Sequence, residues 1–160
     1  MFGERIEKAV ELFKSGFNCS QSVVIAYADM YGFTEEQAAR MAASFGGGIG
    51  RMRQTCGAAC GMFLLAGLET GATDPKDRAQ KGANYAVVQE LAAEFKRRNG
   101  STVCAELLGL KKPEGVSMPE ERTEQYYAKR PCAKMVEEAA RIWAEYLESK
   151  QRMQSPDNAQ

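Results

Sequence analysis

The chain has no histidine, and its 21 lysines and arginines balance its 21 aspartates and glutamates. Without an imidazole, the usual Ser–His–Asp and Cys–His constellations are unavailable, and so is covalent haem attachment through C-x-x-C-H. A formal net charge of +0 leaves no electrostatic footprint for a nucleic-acid backbone or an anionic membrane surface. The longest basic run, Lys96-Arg97-Arg98, falls near an expected helix C-terminus, where cations complement the dipole. Nucleic acid is not an expected partner. Long apolar runs are missing too: the most apolar stretch, 62–68, is far short of the ~20 residues that span a bilayer. Met1-Phe2-Gly3-Glu4-Arg5 lacks the apolar core of a signal peptide. These features predict a cytoplasmic protein with no membrane association. Sustained apolar–polar alternation is also lacking, so β-structure is not expected.

Helical signals run through the whole chain. Ile6, Ala9, Val10, Leu12 and Phe13 form the apolar stripe of a first helix that should stop at Gly16. Asn18 or Ser20 can cap a second, which carries Val23, Val24, Tyr27 and Tyr31 and ends at Gly32. Thr34-Glu35-Glu36-Gln37 is a capping box for a third, running to about Phe45. Gly46-Gly47-Gly48-Ile49-Gly50 then breaks regular structure. An apolar helix follows from Cys56 to about Glu69, closed by Gly71. Asp74-Pro75 reads as the cap and first residue of a long helix to Arg98. Ser101 or Thr102 can cap a short helix through Cys104, Leu107 and Leu108. A connection with Pro113 and Gly115 leads to a short helix near Pro119, and Pro131 opens the last helix, through Met135, Ile142, Trp143 and Leu147. The pattern predicts an all-α, single-domain irregular helical bundle over 1–150, with a polar, disordered tail over 151–160.

Against this background the five cysteines stand out. Cys19, Cys56, Cys104 and Cys132 each fall at the predicted start of a different helix. A helix N-terminus carries roughly +0.5 of an elementary charge and unpaired N–H groups, which favour thiolate over thiol. In a reducing compartment such cysteines point to redox chemistry or metal rather than to permanent crosslinks. Arg51 and Arg53, just before Cys56, add positive potential that would lower its pKa, making Cys56 the expected nucleophile. Cys60 lies one helical turn after Cys56, at a spacing too wide for an unstrained disulfide, and is expected to pack as a spectator. The glycine run lacks the Gly-Lys-Ser/Thr ending and the leading strand of a phosphate loop. Its expected use is to let the backbone pass close to other helices or to sulfur. Zinc sites usually draw on local C-x₂₋₄-C pairs, and the nearest two of the four cysteines are far apart in sequence, so any metal site would have to be assembled by tertiary structure.

Five segments together resemble one family: Phe17-Asn18-Cys19-Ser20-Gln21-Ser22-Val23, Phe45-Gly46-Gly47-Gly48-Ile49-Gly50-Arg51-Met52, Cys56-Gly57-Ala58-Ala59-Cys60-Gly61, Cys104-Ala105-Glu106-Leu107-Leu108-Gly109 and Cys132-Ala133-Lys134. This ordered set is similar to the C-GCAxxG-C-C family, described as redox-active proteins with four invariant cysteines. The resemblance covers about residues 1–148. It implies that the family cysteines are Cys19, Cys56, Cys104 and Cys132, with Cys60 at a variable position. The chain reads Thr55-Cys56-Gly57-Ala58 where the family name spells Gly-Cys-Ala. No substrate comes with the resemblance.

Three functions remain open at this point. The first is reversible thiol/disulfide chemistry on the four cysteines, with a redox partner protein or a small oxidant or reductant, which would make the protein an oxidoreductase. The second is electron transfer through an iron–sulfur cluster, or another metal, held by Cys19, Cys56, Cys104 and Cys132. The third is a helical interaction module with inert cysteines. Gly57 and Arg51 are the candidate cofactor contacts beside the sulfurs. The apolar stretch 62–68 offers a homodimer contact wherever it is exposed, although burial within the monomer is its first expected use.

Overall fold

The computed structural model describes residues 2–110 and 116–155. Among these, eight α-helices and two single turns of 3₁₀ helix form an all-α fold, with no β-structure beyond one isolated bridge between Thr55 and Val103. The expected architecture is the observed one.

Local capping explains most of the boundaries. Helix α1 (Gly3–Lys14) ends just before Gly16, which is left-handed at φ +116°. Helix α2 (Cys19–Tyr27) begins with a capping box: the Asn18 side chain accepts the Gln21 N–H at 2.8 Å, and the Gln21 side chain accepts the Asn18 N–H at 3.1 Å. It tightens into a 3₁₀ turn over Ala28–Tyr31, stopped by left-handed Gly32. Helix α3 (Glu35–Ala42) carries the reciprocal Thr34–Gln37 box, and a 3₁₀ turn carries the chain on to Phe45. Helices α4 (Gly57–Thr70) and α5 (Arg78–Asn99) follow, then one short turn, α6 (Cys104–Leu107), then α7 (Glu124–Lys129) and α8 (Cys132–Gln154).

Four boundaries differ from expectation. Helix α5 starts at Arg78, not at Pro75, because Asp77 supplies the cap by accepting the Gln80 N–H at 3.0 Å. Asp74 instead folds a turn, accepting the Lys76 N–H on its side chain. Helix α6 takes Val103 as its cap position, and Ser101 accepts the Val103 N–H one turn earlier. The helix expected near Pro119 begins only at Glu124, where the Thr123 side chain accepts the Tyr126 N–H. Helix α8 continues through Gln154, past the boundary set at 150; the last residues of the expected tail, 156–160, lie outside the described residues, as do Pro113 and Gly115.

Helix α2 is the buried axis: eight of its nine residues are buried, and α1, α3, α4 and α8 pack around it. The approach of α4 depends on small residues. A Cβ on Gly61 would sit 2.9 Å from the Ser20 carbonyl and 3.0 Å from Val23 Cβ. Helix α8 closes the other side with Val136, Ala139, Ala140 and Trp143, all fully buried, and the Tyr27 hydroxyl donates to the Ala140 carbonyl at 2.8 Å. In the apolar stretch of α4, Met62, Leu65 and Ala66 are core and Leu68 is exposed. Among the described residues no helix is long and apolar enough to cross a membrane. Trp143→Ala empties the middle of this core, and should cost about 3–5 kcal/mol, read as a fall in the urea midpoint with little change in slope.

Candidate functional site

All four helix-start cysteines line one cavity of about 390 Å³. Cys19, Cys104 and Cys132 are the first residues of α2, α6 and α8, and Cys56 is the cap residue of α4. Four helices therefore point their N-termini toward the same space.

Two backbone devices bring the distant segments together. The first is a stitch between 53–56 and 102–105. Cys56 N–H donates to the Thr102 carbonyl at 2.7 Å, Cys104 N–H to the Gln54 carbonyl at 2.5 Å, and Ala105 N–H to the Arg53 carbonyl at 3.2 Å. The second is the glycine loop. Gly48 has φ +74°, and a Cβ there would stand 2.6 Å from Cys104 Cβ and 2.7 Å from Arg53 Cα. Only a residue without a side chain allows the loop to lie against Cys104. Gly57 lines the cavity as well, and a Cβ on it would meet the Phe45 carbonyl at 2.8 Å and Cys19 Cβ at 3.3 Å.

The loop is held under strain. Ile49, Arg51 and Arg53 all have positive φ, near +60°, a conformation costing roughly 1–2 kcal/mol for each L-residue with a side chain. The strained positions aim charge at the cavity. Arg53 is buried, with Nη1 3.7 Å from Cys104 Sγ. Arg51 donates to the carbonyls of Val116, at 3.1 Å, and Met118. That pins the segment 116–123, whose Ser117, Pro119, Glu120 and Arg122 form one wall. Arg122 fixes the far end of this wall, donating to the Phe13 and Phe17 carbonyls at 2.9 and 3.1 Å with its guanidinium over the Phe13 and Tyr126 rings. Arg130 pairs with Glu120 and also lies over Tyr126.

The electrostatics separate the sulfurs. Cys19 and Cys132 are neighbours whose titrations shift in opposite directions. The Cys19 thiol, with Arg130, Arg122 and Arg53 and against the opposing effect of burial, lowers Cys132 to about 7. The Cys132 neighbour and burial hold Cys19 well above the ordinary thiol value. Cys132 is thus the sulfur favoured as thiolate and Cys19 the one kept protonated. It is also the only half-buried cysteine; the other four are buried. Contrary to expectation, Arg51 and Arg53 do not lower Cys56. Burial pushes Cys56 up to about 12, and the Ala59 and Ala58 amides offset it only in part. Arg53 faces Cys104 instead, where burial still outweighs it and the thiol stays raised. Cys60 does not line the cavity; its thiol lies 3.7 Å from the Thr55 carbonyl, and burial pushes it up to about 11.

Arg122, Arg130, Glu120 and Tyr126 were not singled out from sequence. One local signal was present: Arg130 stands two residues before Cys132. The position of Arg122 depends on carbonyls more than 100 residues away and left no such trace. No three His, Cys, Asp or Glu side chains among the described residues are grouped so as to hold a metal ion. All four thiols line the cavity, and Cys19 and Cys132 are close enough to shift each other's titration.

Fold and site together define an α-helical domain that converges four cysteines on one arginine-lined cavity. The chain belongs to the C_GCAxxG_C_C family, whose model, described as "Putative redox-active protein (C_GCAxxG_C_C)", matches residues 17–146 and so spans all four cavity cysteines. Comparison with curated proteins and with solved structures finds no match.

Alkylation of Cys132 by iodoacetamide should rise with pH through a midpoint of about 7, since the thiolate is the reacting form and its fraction grows above the pKa. Arg130→Gln should move that midpoint up by about one unit, measured by mass spectrometry of the labelled peptide.

Proposed function

We propose that the protein is a dithiol–disulfide oxidoreductase in which Cys132 is the nucleophile and Cys19 the resolving thiol. The observation that carries this reading is that these two cysteines, the first residues of α2 and α8, line one cavity with arginines, as neighbours that shift each other's titration.

The reaction balances as follows. The Cys132 thiolate attacks one sulfur of a substrate disulfide, whose S–S bond breaks and releases a thiolate with the bonding pair. A mixed disulfide now joins Cys132 to the other half. Cys19 passes its proton to the departing thiolate and attacks Cys132 sulfur, releasing the second half as a thiolate. The substrate gains two electrons, and the protein ends as a Cys19–Cys132 disulfide that a dithiol reductant returns to the start. Cys56 and Cys104, both raised above the ordinary thiol value, stay protonated at neutral pH and shape the cavity around the reacting pair.

A second reading draws on the presence of all four thiols on one cavity: Cys19, Cys56, Cys104 and Cys132 would hold an iron–sulfur cluster supplying one-electron transfer, which requires them to draw together, because no three of them are grouped so as to hold a metal ion. Purification under nitrogen separates the two. The dithiol reading expects a colourless protein without stoichiometric iron, which loses two titratable thiols on treatment with a disulfide. Cys132→Ser should abolish that loss, Cys19→Ser should accumulate the mixed disulfide, and Cys60→Ser should change little. Brown protein with stoichiometric iron bound through the four cysteines would contradict it.

A further inference from the structure

A thiolate expelled from a substrate disulfide at Cys132 is released into a poorly hydrated space. Cys19, Cys56 and Cys104 are each less than a tenth exposed, and Leu107, Leu108 and Met135 give the cavity apolar walls. An anion set free among such groups is costly unless a hydrogen-bond donor meets it. Thiols donate weakly, and a phenol donates well.

Tyr126 is the only phenol among the described residues that line this cavity. It sits on α7, with its backbone N–H held by the Thr123 side chain at 3.2 Å. The Arg122 and Arg130 guanidiniums lie 5.0 and 5.4 Å from the centre of its ring, and Tyr127 packs edge-on at 5.4 Å. The two adjacent tyrosines differ at the hydroxyl. Tyr127 donates to the Lys14 carbonyl at 3.1 Å, away from the cavity. The Tyr126 hydroxyl takes no partner among the described residues. Burial, and after it the charge of Cys132, push the Tyr126 phenol up to about 12, with Arg122 opposing. The hydroxyl therefore keeps its proton at neutral pH and stands near enough to the Cys132 sulfur to sense its charge.

Resting on the dithiol reading, we propose that Tyr126 is a further catalytic residue, its hydroxyl donating a hydrogen bond to the sulfur that leaves the substrate disulfide. As Cys132 sulfur bonds to one half of the substrate, the S–S bond breaks and its electron pair goes to the departing sulfur. Tyr126 holds that charge and retains its own proton, while the proton that leaves with the product comes from Cys19. A donor fixed in advance acts most where most charge collects, on strongly basic leaving thiolates.

Two small uncharged disulfides of similar size test this on the reduced full-length protein. Hydroxyethyl disulfide expels a strongly basic thiolate, and bis(trifluoroethyl) disulfide a weakly basic one. The rate of Cys19–Cys132 oxidation by each, above the Cys132 midpoint, is divided by its rate with free dithiothreitol, which removes intrinsic reactivity. In the wild type the normalised rate should be higher for hydroxyethyl disulfide. Tyr126→Phe keeps the ring and removes only the hydroxyl. It should slow hydroxyethyl disulfide about tenfold, slow the fluorinated disulfide less, and leave the Cys132 alkylation midpoint at about 7. Tyr127→Phe should leave the ratio of the two rates as in the wild type. No loss, equal loss with both disulfides, or a raised Cys132 midpoint in Tyr126→Phe would overturn the role of Tyr126 and leave the dithiol pair standing. If that variant fails to fold, the wild-type ratio decides, and a value of one or below overturns the proposal. Failure of both disulfides to form the Cys19–Cys132 crosslink would remove the dithiol reading as well.

Discussion

Close backbone contact around the sulfurs is the constraint from which the rest of the site follows. The loop at 46–50 lies against Cys104 because Gly48 has no side chain. The stitch between 53–56 and 102–105 then fixes Cys56 and Cys104 relative to each other. Gly61 does the same for α2 and α4, bringing the start of α2, and with it Cys19, up to the start of α4. None of these contacts depends on an ion pair or a large apolar side chain. They hold four helix N-termini around one space, which a looser bundle with bulkier residues at the same points would not do.

That convergence sets an electrostatic problem that the sequence settles unevenly. Helix N-termini and arginines line the cavity, yet burial keeps three of its four thiols above their ordinary value. Only Cys132, with Cys19 as its neighbour and Arg130, Arg122 and Arg53 nearby, gains enough from its surroundings to offset burial and ionise near neutrality. Thiolate formation is therefore directed to one sulfur, with a protonated neighbour on the same cavity. The strain stored at Ile49, Arg51 and Arg53 is consistent with a loop shaped for this site, because two of its three strained residues carry the charge.

The parts that sequence made legible are those governed by local rules. Asn18 and Thr34 cap through reciprocal side-chain bonds within four residues, so their helices could be placed from spacing alone. Cys19 follows directly on such a start, whereas Cys104 and Cys132 open their helices behind Val103 and Pro131, neither of which caps through its side chain. Competition between neighbouring starts was harder to read: Asp77 displaced Asp74, which satisfied the same capping rule, and the Thr123 cap set a start that Pro119, without a side-chain acceptor, did not. The identity of the thiolate was hidden for a different reason. Arg53 is near Cys56 in sequence but reaches Cys104 across a backbone stitch, while Cys132 draws on Arg122 and on Cys19, at the other end of the chain. Those relations exist only after folding.

The proposed chemistry turns on the pairing of Cys19 with Cys132. Oxidising the reduced protein with one equivalent of a mild disulfide, blocking the remaining thiols and mapping the linked peptides by mass spectrometry tests it directly. A single intramolecular crosslink between Cys19 and Cys132 is the predicted result. A crosslink through Cys56 or Cys60, or linkage only between molecules, would contradict it.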